Sequence, residues 1–209
     1  EIKERLKVNN TDFSTSTYGN YVQGKKIKSD DTPMTLVATA KNDTITSNVG
    51  GDTVYAGNGN DTIYVNNASQ TAADTNIYAG KGKDKIIVKD ALFEEGSGIT
   101  NINITEGDGN KTVVITEELK NTHHTLNLNF SPSDTSHQSM GYFKKGNDLI
   151  VEAGYSPYYS TGKASKITVT VKNYFKWDLG ERVQINNDPV SSKDLSIIGV
   201  RNKKKKVTE

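Results

Sequence analysis

Cysteine is absent from the 209 residues, so no disulfide can staple the fold and another device must take that role. No apolar stretch approaches 18 residues, which excludes a transmembrane helix. The formal net charge is only +1, and 33% of residues are hydrophobic. Gly, Asn, Thr and Lys are plentiful instead. Such a chain cannot fill a thick globular core, and it suits a thin, elongated one. One or two domains fit the length. There is no nucleophile–base–acid set, no phosphate loop, and no convincing pair of catalytic carboxylates; Glu117 and Glu118 are too local to count. No catalytic role and no nucleic-acid partner are therefore expected. No signal peptide is visible and the chain begins with Glu1 rather than methionine. We read it as a piece of a longer protein, so missing targeting sequences carry no weight.

What is present is a nine-residue repeat with aspartate in a fixed place. Its copies run Ala38 to Thr46, Ser47 to Tyr55, Ala56 to Tyr64 and, after an interruption, Ala79 to Ile87. The first six residues of each copy are a turn. Glycines at the second and fourth places, Gly57 and Gly59 and again Gly80 and Gly82, allow backbone angles that a Cβ resists. The last three residues are a short strand with an apolar centre: Ile45, Val54, Ile63 and Ile86. One repeat cannot bury its apolar face, so copies must stack. Asn-Asp and Gly-Asn-Asp are ordinary turn residues, and one copy would mean little. Four copies in register, each with an apolar residue two places after the aspartate, are not explained by ordinary turns.

The aspartate closes each turn. Two repeats make one circuit of a roll, so alternate turns share an edge. Asp43, Asp61 and Asp84 then line one edge, and Asp52 with Asp74 the other. Ile77 aligns with the apolar ladder, which puts Thr75 in a ligand place with Asp74 beside it. Stacked carboxylates and turn carbonyls call for a hard cation, and calcium takes six to eight oxygens in flexible geometry. The expected calcium ligands are Asp43, Asp61 and Asp84, with carbonyls near Gly57, Gly59, Gly80 and Gly82, and Asp52 with Asp74 on the second edge. The turns at Asp61 and Asp84 are the best pair; the turn at Asp43 lacks both glycines. Further on, the segment Gly96 to Ile102 loses the aspartate. Gly107 to Val113 puts Lys111 in its place, where an ammonium can replace a cation electrostatically.

These residues resemble the repeats-in-toxin (RTX) family, most closely at Ala56 to Tyr64 and Ala79 to Ile87. Tyr142 to Val151 and Lys166 to Phe175 look like the β-rich segment that commonly follows such repeats. The resemblance implies a secreted, extracellular bacterial protein exported by type I secretion, in which calcium folds the repeats outside the cell. Activity then lies elsewhere in a larger toxin, adhesin, protease, lipase or epimerase. The chain departs from the family in its near-neutral charge and in the lysines Lys81 and Lys83 within one of its best turns.

The fold class expected is all-β: a right-handed parallel β-roll closed by an antiparallel β-rich C-terminal unit. Residues 1–34 form a cap or linker, 35–115 the roll, 116–200 the flanking unit and 201–209 a basic, solvated tail. Short helices are expected at Asp90 to Glu95 and Glu117 to Asn121. A hairpin is expected over Met140 to Ala153, with positive φ at Gly146 and Asn147. Phe175, Trp177 and Leu179 should pack on the strand at Ile167 to Val171. The function expected is calcium-dependent folding of the terminal region of a type I-secreted protein, by a monomer. Two alternatives are carried. One is a polysaccharide-binding module of a carbohydrate-active enzyme such as an alginate epimerase, taking an anionic polysaccharide or cell-surface glycan on Tyr155, Tyr158 and Tyr159. The other is calcium-triggered self-cleavage at Asp188-Pro189. His123, His124 and His137 do not suggest a shared transition metal, because adjacent strand residues face opposite ways.

Overall fold

The computed structural model describes residues 7–8, 11–12, 21–23, 25–30, 32–66, 73–89, 98–116, 124–131, 136–157, 164–190 and 205–207. Nearly everything regular is strand. A two-residue pair, β1 (Lys7–Val8) and β2 (Thr11–Asp12), stands by itself. Then come β3 (Tyr21–Gln23), β4 (Lys26–Lys28), β5 (Thr35–Val37), β6 (Thr44–Ser47), β7 (Thr53–Tyr55), β8 (Thr62–Val65), β9 (Thr75–Tyr78), β10 (Asp84–Val88), β11 (Ile99–Thr105), β12 (Lys111–Ile115) and β13 (Thr125–Ser131). Successive members of this series alternate between two sheets and pair in parallel within each. This is a two-sheet parallel roll.

The sequence explains each rung. An apolar residue at the strand centre faces inward, and Thr, Asn or Lys flanks it outward. One sheet carries the inner ladder Ile27, Ile45, Ile63, Ile86 and Val113; the other carries Leu36, Val54, Ile77, Ile102 and Leu128. Of these, all but Ile27 are fully buried, and they form one core cluster. β-Branched side chains fit such pleated, half-buried surfaces. Small residues turn the corners, with Ala38, Ala56 and Ala79 all inside.

The chain then changes direction. The long hairpin β14 (Ser136–Lys145) and β15 (Asp148–Pro157) leads to β16 (Ser165–Lys172), which returns parallel to β12 while β15 runs antiparallel to it. On the other sheet, β17 (Val183–Ile185) adds parallel to β13, and β18 (Asp188–Pro189) turns back on it. Antiparallel strands at that end stop the solenoid. Parallel pairing thus extends on both sides of residues 35–115: β3 and β4 precede that span, and β13, β16 and β17 follow it.

The hairpin lies where expected, but only Gly146 has positive φ (62°); Asn147 does not. A two-residue turn needs the left-handed angle at both places only in one of its two common forms. Leu179 is buried, with Phe175 and Trp177 packed against the core. Tyr174 is fully buried, and its hydroxyl donates to the Val190 carbonyl at 2.9 Å. The basic tail is not simply solvated. Lys205–Val207 forms β19, an antiparallel edge strand on β14, because an open sheet edge offers unpaired backbone groups that any extended segment can use. The helices expected at 90–95 and 117–121 lie outside the described residues. Among the described residues no helix is long and apolar enough to cross a membrane.

Candidate metal centre

The residue before each outward threonine of β6 and β8, and the first residues of β10 and β12, stand in one register. The column reads Lys25, Asp43, Asp61, Asp84, Lys111. The aspartates and Lys111 are buried. Each aspartate caps the coil before it: the Asp43 amide donates to Asp61 Oδ1 at 2.8 Å, and the Asp61 amide to Asp84 Oδ1 at 2.9 Å. Beside this column runs an amide ladder. The Asn60 amide donates to Asn42 Oδ1 and the Lys83 amide to Asn60 Oδ1, both at 2.8 Å.

The glycine turns stack so closely that side chains are excluded. Gly82 has φ +127°, and a Cβ added there would overlap the Gly59 carbonyl. A Cβ on Gly80 would likewise overlap the Gly57 carbonyl. These contacts bring turn carbonyls to the same edge as the carboxylates.

The second oxygens of the aspartates are treated in three different ways. Asp84 Oδ2 accepts from Lys111 Nζ at 2.6 Å, and the same ammonium donates to the Gly80 carbonyl; both side chains of this ion pair are fully buried. Asp43 Oδ2 accepts from the Thr39 amide and hydroxyl, each at 2.8 Å. Asp61 Oδ2 is buried with no hydrogen-bond partner. Lys111 therefore marks where a positive charge belongs relative to one turn, between its aspartate and the carbonyl of its second residue. One coil earlier the matching atoms are Asp61 Oδ2 and the Gly57 carbonyl, with Asp84 in the lysine's register. Burial, with Asp84 and Asp43 adding repulsion, pushes the Asp61 carboxyl up to about 6. Burial also raises Asp84, against the pull of Lys111. A buried carboxylate so placed calls for a cation. No three carboxylate or imidazole side chains converge among the described residues. An ion here would draw its remaining oxygens from turn carbonyls, which suits calcium.

The opposite edge is built differently. Thr75, not Asp74, stands in register with Asp52. Asp52 is fully buried and already satisfied: Ser29 and Ser47 hydroxyls donate to Oδ2 at 2.6 and 2.7 Å, and the Met34 amide to Oδ1 at 2.8 Å. Asp74 is exposed and caps the Ile99 amide at 3.0 Å. Hydroxyls thus fill the space that the expected second-edge ion would need. The sequence signal was available, since Ser29 and Ser47 fall where later coils have Val65 and Val88. It was missed because it depends on register across three coils.

Tyr155 does not lie in an exposed loop. It extends β15 on the inward face with Val151 and Ala153, is 1% exposed, and accepts from Gln138 Nε2 at 3.2 Å. It cannot stack on a sugar. Tyr158 and Tyr159 lie outside the described residues, as does His123. His124 is buried with Nε2 at 2.8 Å from the Thr100 hydroxyl, and nothing is described of the His137 side chain. Asp188-Pro189 is an exposed edge pair.

The fold and edge define a parallel β-roll with an aspartate-lined, glycine-stacked turn column. Residues 35–64 match the family model for the RTX calcium-binding nonapeptide repeat (4 copies). The chain therefore carries RTX-type repeats, a motif that binds calcium through a β-roll and is itself non-catalytic. No curated protein and no solved structure matches the chain.

Proposed function

We propose that this chain is a calcium-stabilised β-roll that folds and holds the C-terminal region of a large, secreted bacterial protein exported by the type I route. The observation that carries this reading is the buried, unpartnered Asp61 Oδ2 in the register where, one coil on, Lys111 supplies a positive charge. In this reading calcium sits between the turns closed by Asp61 and Asp84, with carbonyls near Gly57, Gly59, Gly80 and Gly82. Asp43 contributes less, because Thr39 already satisfies it. The secreted setting is supported by the repeats and by the lack of cysteine, which leaves an extracellular ion to do what disulfides do elsewhere.

A calcium titration of the EDTA-stripped chain, followed by circular dichroism and calorimetry, tests it. Extracellular modules bind calcium at about 0.1 to 1 mM. At ten times Kd a single site adds about 1.4 kcal/mol, which raises Tm by several degrees. Asp61→Ala with Asp84→Ala should abolish the rise. A wild-type Tm that ignores calcium up to about 10 mM, well above that range, refutes the reading.

A further inference from the structure

We propose that the same edge is a binding surface for a linear acidic polysaccharide, and that calcium tightens this binding. The second clause rests on the calcium reading; the first does not.

The warrant is how charge is divided between surface and interior. The edge and the adjoining outward row come from residues 25–26, 39–44, 57–62 and 80–85. These hold six lysines, Lys25, Lys26, Lys41, Lys81, Lys83 and Lys85, and every one is exposed. Their only carboxylates are Asp43, Asp61 and Asp84, and every one is buried. Outside, the surface presents a single sign. Lys41 lies level with Gly59 and Gly82, Lys81 is bridged to Asn58, and Lys85 is in register with Thr62. Rungs of a sheet are about 4.8 Å apart, so the ammonium groups form a short row along the roll axis. A row of fixed cations matches a chain of regularly spaced anions better than a single small anion. The row ends at the next turn, where Glu106 and Asp108 restore acidity.

The chemistry beside the lysines selects among polyanions. These four segments contain no aromatic ring, so nothing there can stack a base. Their only apolar side chain is Ala40, so nothing can insert into a bilayer as an amphipathic element does. Thr44 and Thr62 point outward between the lysines, and Asn58 and Asn60 are exposed at the turn. Hydroxyls and amides beside ammonium groups suit sugar hydroxyls beside sulfate or carboxylate.

Calcium enters through charge. Six lysines against three carboxylates leave a modest excess, and each bound ion adds two positive charges directly beneath the row. Coupling of this kind is reciprocal, so the glycan must also tighten calcium. Screening over about 8 Å at physiological salt limits the effect to roughly threefold to tenfold.

The test is binding of dextran sulfate to the full chain by calorimetry, with neutral dextran and anionic phosphatidylserine vesicles as comparators. We expect binding to dextran sulfate alone, weakened at least tenfold by Lys81→Glu with Lys83→Glu and steeply by added salt. Lys144→Glu with Lys145→Glu, on the far hairpin, should change it less than twofold. The turn reversals add carboxylates beside the ion, so their loss of glycan affinity cannot come from lost calcium. Equal binding of neutral dextran, indifference to the turn reversals, absence of binding, or tighter binding to vesicles each overturns the proposal. If calcium binds by independent titration yet leaves glycan affinity unchanged, the coupling clause is wrong. If calcium does not bind at all, the calcium reading has failed, and the turn variants still decide the surface.

Discussion

Lys111→Met removes one ammonium and keeps most of the stem that carries it. In the wild type that ammonium lies between Asp84 Oδ2 and the Gly80 carbonyl, with both side chains of the pair fully buried. The variant leaves a buried carboxylate with one oxygen unpaired. Breaking a buried pair this way costs about 3 to 5 kcal/mol, even where the intact pair adds little net stability. With a urea m-value of about 2 kcal/mol/M, the midpoint should fall by roughly 1.5 to 2.5 M. The loss should be present in EDTA, since no metal is involved. It should also shrink on acidification. Asp84 is already raised by burial, and without the lysine it rises further, so a proton can take the place of the ammonium. The assay is urea unfolding in EDTA at pH 7.5 and pH 5. A midpoint shift worth under about 1 kcal/mol, or one equally large at both pH values, refutes the argument that Lys111 is a tethered counter-cation. The companion Lys111→Asp extends the aspartate column by one. It should take up one calcium more than wild type, read by titration, and recover stability only when calcium is present.

Asp61→Asn keeps the acceptor for the Asp43 amide and removes a charge that burial disfavours. In EDTA at pH 7.5 it should stabilise the chain by about 1 to 3 kcal/mol while abolishing the calcium response; destabilisation in EDTA would sink the idea. The wild-type pH dependence follows from the same group. Its folded pKa of about 6 lies above the unfolded value near 3.8, so the calcium-free fold binds more protons than the unfolded chain between those values. Calcium-free stability should therefore fall as pH rises from 4 to 6, and calcium affinity should fall about tenfold per unit below pH 6. A calcium-free stability that rises with pH across that window contradicts the assignment. Gly82→Ala, with φ +127° and the Gly59 carbonyl in its path, should cost about 2 kcal/mol or more. Gly146→Ala, with φ +62° and open space, should cost only about 1 kcal/mol; equal losses in paired thermal melts would refute the stacking argument. Ser47→Ala removes one of two hydroxyls on Asp52 Oδ2. It should cost about 1.5 to 3 kcal/mol, equally with and without calcium; a loss that calcium repairs would mean the second edge holds an ion after all.

The roll was legible because its signals are local and repeat. An apolar residue two places after each aspartate fixed the inner ladder through Ile45, Val54, Ile63 and Ile86, and counting by nines placed Thr75 opposite Asp52. Lys111 could also be read, since it occupies an aspartate's place in an otherwise preserved turn. What could not be read depends on contacts between coils. Ser29 and Ser47 look like ordinary strand-end serines until three coils are stacked. Thr39 satisfies Asp43 only because its own turn lacks glycine and bends back on itself. Tyr155 was misplaced because the strand at Asp148–Pro157 runs four residues beyond the hairpin expected to end at Ala153. Period-two alternation carried past its assumed end would have put that ring inside with Val151 and Ala153.

Four buried aspartates in this roll face one electrostatic problem, and the chain solves it by neighbouring chemistry rather than by one device. Asp52 receives two hydroxyls, Asp43 an amide and a hydroxyl of its own turn, Asp84 an ammonium. Only Asp61 keeps a buried oxygen with nothing donated to it. Internal donors are always present, whereas an ion is present only where its concentration is high enough. The coils held by Ser29, Ser47 and Lys111 should therefore keep their packing in low calcium. The turns closed by Asp61 and Asp84, at the middle of the column, are the place where an external ion changes the balance. On this argument the calcium requirement is set by how many aspartates lack an internal partner, not by how many repeats match the motif. Hydrogen exchange in EDTA should show it directly. Amides of Thr62 to Val65 and Lys85 to Val88 should gain protection on adding calcium, while those of Val113 to Ile115 should already be slow. Uniform protection across all three strands, moving together with calcium, would show that the column behaves as one cooperative unit and that the partner-by-partner account is wrong.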